Sequence, residues 1–302
     1  MATKRKIYLP SISNLGASSA AGTVGLVDLP LYYKYHAIGF EYLDGGSSPQ
    51  SILFNGSTGL IGDIAFKVNA NVKRIHTAQE LDHLNSVNGA AYAAQTIGSG
   101  ATEKQVLRLN FSEPWRDNNA DKTATALNLT PTFGVTSAQI QITLGAAMPA
   151  TGSLVLYAIV EDPDGSVPST GPLVKIVQRQ SFGVSGTSID VTNLPQAGYY
   201  QTALLKNPST TGYITKATLK VNGSIVRELT REANIGELSY LGMNPANSTS
   251  TGAFGYDLVL DDDDPLNSAL PATGQNLVLH LDFNTSAAGN VTVLLESVQF
   301  GW

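Results

Sequence analysis

The sequence predicts an all-β protein built from two tandem eight-stranded jelly rolls, each with one short helix. Three observations carry this prediction. Each half contains about eight short segments in which apolar and polar residues alternate, which is the pattern of half-buried strands. The second half repeats motifs of the first half in the same order. Long irregular connections between the segments favour a Greek-key or jelly-roll arrangement over simple hairpins.

The repeat is visible in four pairs of motifs. In the first pair, Leu29-Pro30 followed by Tyr32-Tyr33 matches Leu194-Pro195 followed by Tyr199-Tyr200, and in the second pair the segment Lys67–Arg74 matches Lys220–Arg227. In the third pair, Glu80-Leu81 followed by Leu84 matches Glu237-Leu238 followed by Leu241. In the fourth pair, the alternating apolar residues Leu127, Leu129, Ile140 and Ile142 match Leu277, Leu279, Leu281, Val291 and Val293. A repeat unit of about 150 residues is too long for a solenoid and has the size of one domain. We therefore expect both halves to share one topology, with Val68 equivalent to Val221 and Leu127 close to Leu279.

The boundary between the two domains is predicted near Gly165. The segment Glu161–Gly165, followed by Pro168 and Pro172, is rich in charge, proline and glycine and has no apolar period. We assign residues 1–165 to the first jelly roll and residues 166–302 to the second.

Period-2 alternation of apolar residues places the strands. It marks Thr23–Leu29, Ile38–Tyr42, Val106–Phe111, Ala126–Leu129 and Gln139–Leu144 in the first half, and Ile189–Val191, Tyr200–Leu205, Ile214–Val221, Tyr256–Leu260, Leu277–Phe283 and Val291–Val298 in the second. The apolar run Leu154–Val160 predicts a strand buried on both faces. Two short strands are expected over Leu173–Val177 and Phe182–Val184. The residues of the fourth motif pair are expected to lie between the sheets.

One short helix is predicted at matching places in the two halves. Thr77 with Glu80 three residues later forms a capping box, which opens a helix. The counterpart begins near Thr230 with a weaker start, because Ala233 stands in the place of the capping carboxylate.

The composition excludes several classes of function. Charged residues make up 14% of the 302 residues and the formal net charge is −6, so no general basic surface for nucleic acid is implied. The lack of cysteine excludes disulfides, thiolate catalysis and cysteine-ligated zinc. No apolar run approaches the ~20 residues of a membrane-spanning helix, and we expect a soluble protein made in a cytoplasm.

No motif of the chain predicts catalysis. The histidines are His36, His76, His83 and His280. They lack a metal-ligand spacing, although His76 and His83 could share a helix face, and we expect each to be structural or exposed. Three places are open for Trp115: stacked on a sugar, packed on a neighbouring subunit, or closing the end of its own sandwich. Trp302 is expected to close the last strand onto the second core.

An acidic run is a candidate metal site. It consists of Asp261, Asp262, Asp263 and Asp264. Carboxylate oxygens are the ligands that calcium prefers, but the run lacks the spaced pattern of a calcium loop, and a solvated loop is the alternative. Four like charges cannot be buried without neutralisation, so we expect the run to be exposed. No cofactor other than calcium is implied.

A basic triplet lies near the N-terminus. Lys4, Arg5 and Lys6 form either a solvated tail or an arm that contacts anionic lipid or a genome. Removing residues 1–15 is expected to leave both jelly rolls folded and to weaken assembly.

Two jelly rolls in tandem without a catalytic motif resemble the double jelly-roll major capsid proteins of tailless icosahedral viruses, in particular corticovirus-like coats of small lipid-containing bacteriophages. The likeness rests on the entry strand from Leu29-Pro30 to Tyr35 and on the segment from Lys220 to Glu237. The resemblance implies a homotrimer with six jelly rolls in a pseudo-hexagonal ring, which tiles a shell over an internal membrane and meets a penton or spike protein at the vertices. It carries over no functional residue.

The sequence therefore predicts a structural, non-enzymatic protein of the virion capsid. A carbohydrate-binding or receptor-binding double β-sandwich is the alternative, and a double jelly-roll hydrolase acting on glycans is a third class. The size of the protein in solution separates these hypotheses, because only a capsid protein must form trimers or larger assemblies.

Overall fold

The computed structural model describes residues 4–163, 173–260 and 269–302, which divide into two compact units. Unit 1 contains Met1–Asn85, Ala91–Lys175 and Phe300–Trp302, and unit 2 contains Ser86–Ala90 and Ile176–Gln299. The predicted boundary at Gly165 lies outside the described residues and stays a prediction.

Unit 1 is an antiparallel sandwich with the strand order of a jelly roll. Its strands are β1 (Arg5–Tyr8), β2 (Val24–Asp28), β3 (Tyr33–Leu43), β4 (Ile61–Val68), β5 (Asn71–Thr77), β6 (Gln95–Ile97), β7 (Lys104–Asn110), β8 (Leu127–Leu129), β9 (Ala138–Leu144) and β10 (Ser153–Glu161). One sheet has the order β1-β10-β3-β7-β6, with β8 also paired to β3, and the other contains β5-β4-β9-β2. Without the short strands β6 and β8, these are the two four-stranded sheets of an eight-stranded jelly roll.

Unit 2 repeats this order with fewer, longer strands. They are β11 (Leu173–Val191), which begins in unit 1, β12 (Tyr199–Lys206), β13 (Ile214–Val221), β14 (Ser224–Thr230), β15 (Phe254–Val259), β16 (Leu270–Pro271) and β17 (Leu277–Phe300). The first part of β17 pairs with β13 and its second part pairs with β12, so the two parts of this long strand are equivalent to β9 and β10 of unit 1. The fold class predicted from the sequence is confirmed.

Three predicted strands differ from the structure. The segments Leu173–Val177 and Phe182–Val184 belong to the single strand β11, because pairing with β17 holds the intervening polar residues in extended conformation. Strand β10 is buried on one face only: Leu156 and Val160 point into the core, whereas Val155 is exposed. An apolar run shows that a strand can be buried on both faces, but it does not show whether another element covers the second face.

The matching helices begin where the sequence places them. They are α1 (Ala78–Val87) and α3 (Arg231–Tyr240); unit 1 also contains the short helix α2 (Asn119–Ala124) and three single turns of 3-10 helix, Ala90–Tyr92, Gly100–Thr102 and Pro131–Phe133. The capping box forms, since the Thr77 amide donates to Glu80 Oε2 at 2.8 Å and the Glu80 amide donates to Thr77 Oγ1 at 3.0 Å. Thr230 Oγ1 accepts only the amide of Ala233, at 3.3 Å. The prediction of one helix per jelly roll is too low for unit 1.

Both helices follow a capping threonine, so equivalent residues lie at equal distances from Thr77 and Thr230. Leu81, four residues after Thr77, is therefore equivalent to Asn234 and not to Leu238. The predicted match of Glu80-Leu81 with Glu237-Leu238 is therefore wrong by one helical turn. His76 lies in β5 rather than on the helix, so it shares no helix face with His83.

A buried tyrosine marks the same place in both units. The Tyr35 hydroxyl donates to the carbonyl oxygen of Pro30 at 2.6 Å, and the Tyr200 hydroxyl donates to that of Pro195. Each tyrosine is the fifth residue after its proline, and both rings are fully buried. The repeat thus aligns Tyr35 with Tyr200, and the alignment of Tyr32-Tyr33 with Tyr199-Tyr200 is wrong.

The turn between the fourth and fifth strands is also duplicated, and it sets the register of the strand that follows. The Asn69 amide donates to the Ser137 carbonyl at 2.9 Å, and the Asn222 amide donates to the Asn276 carbonyl at 2.8 Å. Each asparagine Oδ1 then accepts a backbone amide of the same segment, from Thr136 at 2.8 Å and from Asn276 at 2.9 Å. Since Ser137 and Asn276 are equivalent, Ile140 is equivalent to Leu279.

The predicted proximity of Leu127 and Leu279 after superposition is therefore wrong, whereas Val68 and Val221 do occupy equivalent strand ends. Leu127 lies in β8 opposite Tyr35, and the counterpart of β8 is β16, in which Leu270 lies opposite Tyr200. The predicted core is nevertheless confirmed, because every residue of the fourth motif pair is buried.

Replacing Ala70 by glycine is expected to raise the free energy of unfolding by about 0.5–1 kcal/mol. The duplicated turn needs left-handed backbone at both central residues; φ is 49° at Asn69 and 64° at Ala70, and 51° at Asn222 and 84° at Gly223. Alanine pays a steric cost there that glycine avoids. Gly223→Ala is the matched reverse change, in open space, and should destabilise by a similar amount in urea titrations. Destabilisation by Ala70→Gly would contradict this account.

Candidate assembly surface

The predicted basic arm is part of the fold. Arg5 and Lys6 belong to β1, where they pair with Val160 and Ile159 of β10. The Arg5 guanidinium lies 2.5 Å from Asp162 Oδ1 and 5.6 Å from the ring centroid of Tyr33. This strand is therefore held by its neighbours rather than free to extend.

The expectation that the first jelly roll stays folded after removal of residues 1–15 conflicts with the position of β1 in its sheet. The deletion would remove β1 from its sheet together with the buried side chains of Leu9 and Ile12. Contact of Lys4, Arg5 and Lys6 with lipid or a genome stays a prediction.

The acidic run Asp261, Asp262, Asp263 and Asp264 lies outside the described residues, so its exposure and its calcium binding stay predictions. Within the described residues, no group of three or more histidine, aspartate or glutamate side chains is placed to hold a metal ion. His280 lies between two aspartates, with Nδ1 2.7 Å from Asp190 and Nε2 3.2 Å from Asp282.

His36 and its neighbours form a charged cluster at the ends of β3 and β10. Lys34 Nζ lies 3.1 Å and His36 Nε2 lies 3.3 Å from the carboxylate of Glu161, although the imidazole contact lacks hydrogen-bond geometry. Burial lowers the pKa of His36, the nearby Lys4 charge lowers it further, and Glu161 opposes both. The ring is therefore neutral at pH 7, and the cluster ties the two strands together.

A buried ion cluster surrounds Glu113 in unit 1. Its Oε2 lies 2.7 Å from Arg116 Nε, and its Oε1 lies 2.6 Å from Lys175 Nζ. Trp115 packs against Tyr92 at 5.5 Å between ring centroids and has Lys175 Nζ 5.4 Å from its ring. Trp115 thus packs within unit 1. Because two cations neutralise the carboxylate, this cluster holds a loop in place and offers no free acid or base.

The outward surface of the sheet β1-β10-β3-β7-β6 is partly exposed to solvent, and we call it the open face. Side chains alternate across each strand, so the residues paired in register share this side. One row contains Tyr8, Tyr157, Gly39 and Arg108. The Tyr157 ring lies directly on Gly39, where a Cβ atom would collide with it. Because glycine has no side chain, the aromatic ring can pack directly against the backbone of this strand.

A groove of about 440 Å³ crosses the open face. It is lined by Lys6, Glu41, Ala91, Tyr92, Ala93, Gln95, Ile97, Val106, Arg108, Asn110, Pro114 and Tyr157. Glu41 is paired with Lys104, whose Nζ lies 2.6 Å from Oε1. The side chains of Lys6 and Arg108 have no partner among the residues that the structure describes. The groove therefore carries two positive charges that no described side chain neutralises.

Apolar side chains border the groove. Tyr8 is 73% exposed and Ile97 is 60% exposed, and Val155 also faces solvent. Exposed apolar residues gathered on one sheet face mark an interaction site more often than isolated ones do. Sequence reasoning missed this face; Gly39 within the run Ile38–Tyr42 is the signal of close packing that pointed to it.

Comparison with protein families gives two matches in tandem. Residues 6–161 match the viral coat protein P2 N-terminal domain, and residues 174–300 match the viral coat protein P2 C-terminal domain. No curated protein matches the chain significantly.

Solved structures with the same fold include several capsid proteins. The major capsid protein P2 of bacteriophage PM2 has a TM-score of 0.73 and 16% sequence identity, over 99% of this chain and 98% of that chain. A structure of Sulfolobus Turreted Icosahedral Virus gives 0.68 and 14%, over 98% and 91%. The PBCV-1 virus capsid gives 0.63 and 10%, over 99% and 94%. No helix of the described segments is long and apolar enough to cross a membrane.

Proposed function

Because the chain belongs to the viral coat protein P2 family, we propose that its functional unit is a homotrimer whose six jelly rolls form a pseudo-hexagonal tile of an icosahedral shell. The protein is a structural component of the virion capsid. The observation that supports the trimer is the duplication itself: two family domains of one topology lie in a single chain.

Two similar units per chain allow threefold symmetry to approximate sixfold symmetry. Three copies related by a threefold axis place six jelly rolls around a ring, and each jelly roll presents an outer surface to the next tile. The two units are not identical, so contacts within a chain and contacts between chains can differ. A trimer interface that persists in a shell is expected to be large and partly apolar.

The two buried charge clusters described above are neutralised internally, which agrees with a structural role. Glu113 is neutralised by Arg116 and Lys175, and the neutral His36 lies beside the ion pair of Glu161 with Lys34. The alternative of a carbohydrate-binding double sandwich gains no support from the family match.

The remaining partners are part of the same proposal. A pseudo-hexagonal tile does not fit a fivefold vertex, so a penton or spike protein is needed there to close the shell. Lys4, on the edge next to β1, is suited to an anionic lipid or a genome. Calcium bound by Asp261, Asp262, Asp263 and Asp264 would screen their repulsion and join neighbouring subunits.

Sedimentation equilibrium of the full chain tests the trimer. We expect a mass three times that of the chain across a wide concentration range, because an obligate interface does not dissociate on moderate dilution. Electron microscopy of native material should show closed shells built from such units. A stable monomer at high concentration, without particles, would contradict the proposal.

A further inference from the structure

We infer that the groove of the open face binds the exposed C-terminal end of helix α3 from a second copy of this chain. The inference rests on the proposed self-assembly and adds the two surfaces that meet. Equivalent positions of the two sequence repeats differ in exposure. The end of α3 and the open face are exposed, whereas their counterparts, Val87 and the strand row around Leu204, are buried.

The first uncovered surface is the end of α3. Helices α1 and α3 have ten residues each and follow equivalent capping threonines, so their last residues, Val87 and Tyr240, correspond. Val87 is 0% exposed, whereas Tyr240 is 89% exposed and Leu241 beside it is also exposed. An exposed tyrosine ring and leucine at a helix end form an apolar knob, which no residue of the described segments covers.

The second uncovered surface is the open face of unit 1. Tyr157, Gly39 and Arg108 lie opposite one another on three adjacent strands. Because Tyr35 is equivalent to Tyr200, Gly39 is equivalent to Leu204, four residues later. The residues opposite Leu204 on the two neighbouring strands are Leu294 and Asp257.

All three side chains of the row in unit 2 are buried. The carboxylate of Asp257 accepts the amide of Ala246 at 2.6 Å, in the segment that follows α3. In unit 1, by contrast, Arg108 is exposed and the groove lies open along the row. Within the described part of the chain, the open face is therefore exposed where its counterpart in unit 2 is covered.

The two surfaces are complementary in charge, and both carry exposed apolar side chains. Glu237 lies one helical turn before Tyr240 and Leu241, is exposed, and has no side-chain partner among residues 4–163, 173–260 and 269–302. The groove holds the unpaired cations of Lys6 and Arg108 beside apolar walls. A carboxylate one turn from an aromatic knob matches this arrangement, and buried tyrosine and arginine side chains supply much of the energy of protein interfaces.

A contact of this kind is head-to-tail. The knob belongs to unit 2 and the groove to unit 1, so each copy donates one surface and accepts the other. Repeated with a rotation that closes, such a contact produces a ring, and three copies leave no knob or groove unfilled.

Charge reversal across the contact tests the inference. Arg108→Glu and Glu237→Arg are each expected to weaken trimer formation on the order of tenfold or more, because like charges would then face each other. The double variant restores the opposite charges and should recover most of the loss. Tyr240→Ala should weaken the trimer without any rescue. The measurement is the trimer dissociation constant from sedimentation equilibrium, with circular dichroism to verify that each variant is folded.

Glu232→Gln is the control on the same helix, since it removes a charge on another side of α3 without placing a second cation beside Arg231, 3.4 Å away, and it should leave the trimer unchanged. A wild-type trimer that all three single variants preserve would overturn this inference and leave the proposed function standing. A wild-type monomer would overturn the proposed function and this inference together. Lys6→Glu gives a second measurement at the groove if Arg108→Glu does not fold, and an unchanged trimer would again overturn the contact.

Discussion

Replacing Glu113 by glutamine is expected to lower the free energy of unfolding of unit 1 by about 3–5 kcal/mol. The carboxylate is fully buried and holds Arg116 at 2.7 Å and Lys175 at 2.6 Å. Glutamine has nearly the same shape but no charge, so two cations would remain in the interior without a counter-charge. Urea unfolding followed by tryptophan fluorescence measures the loss, since Trp115 lies beside Lys175.

The pH dependence gives this prediction a second readout. Burial alone raises the pKa of Glu113, but Lys175 and Arg116 outweigh burial and hold the pKa below its ordinary value. Since the folded-state pKa is lower than the unfolded-state pKa, the stabilisation is complete above the ordinary value of about 4.3 and is lost as the pH falls through the folded-state pKa. The wild type and Glu113→Gln should therefore converge in stability at acidic pH.

An exposed ion pair provides the control. Glu228 pairs with Lys216 on the surface of unit 2, and Glu228→Gln should change the stability little because water already solvates both charges. A cost for Glu113→Gln as small as that of Glu228→Gln would show that the interior charges are solvated, contrary to the geometry described.

The duplication was readable from sequence because local chemistry fixes its markers. The two-residue turn needs residues that tolerate left-handed backbone, and the helix start needs a capping threonine, so Asn69-Ala70 with Thr77 and Asn222-Gly223 with Thr230 recur with constant spacing. Tyrosine pairs and leucine spacings carry no such requirement. Tyr32-Tyr33 therefore suggested a false match, and the hydrogen bond to Pro30 was needed to identify Tyr35.

The candidate surface could not be predicted in the same way, because its residues meet only through strand register. Lys6 and Arg108 lie on β1 and β7, with β10 and β3 between them, and no local motif joins them. From sequence alone, Tyr240 is indistinguishable from an apolar helix residue that packs on the core. Only the structure shows that this end of the helix is exposed to solvent. What the sequence did contain was Gly39, whose meaning depends on Tyr157 lying on it from the neighbouring strand.

Truncation of Leu279 to alanine is expected to lower the free energy of unfolding of unit 2 by about 2–5 kcal/mol. Leu279 lies directly opposite Leu219 on the neighbouring strand, and both belong to the buried cluster between the sheets of unit 2. Removing its side chain loses apolar burial and leaves a cavity, because neighbouring strands are held by their backbone hydrogen bonds and collapse only in part. Chemical denaturation of the full chain measures the effect.

Two further substitutions show whether burial or the strand position itself causes the loss. Val278 is the next residue and faces the opposite side of the sheet, half-exposed, so Val278→Ala should cost about 1 kcal/mol or less. Ile140 occupies the equivalent core position in unit 1, and Ile140→Ala should cost as much as Leu279→Ala but in the unfolding of unit 1. A loss well under 1 kcal/mol for Leu279→Ala would place this part of β17 at the surface and would break the equivalence of the two cores on which the duplicated fold depends.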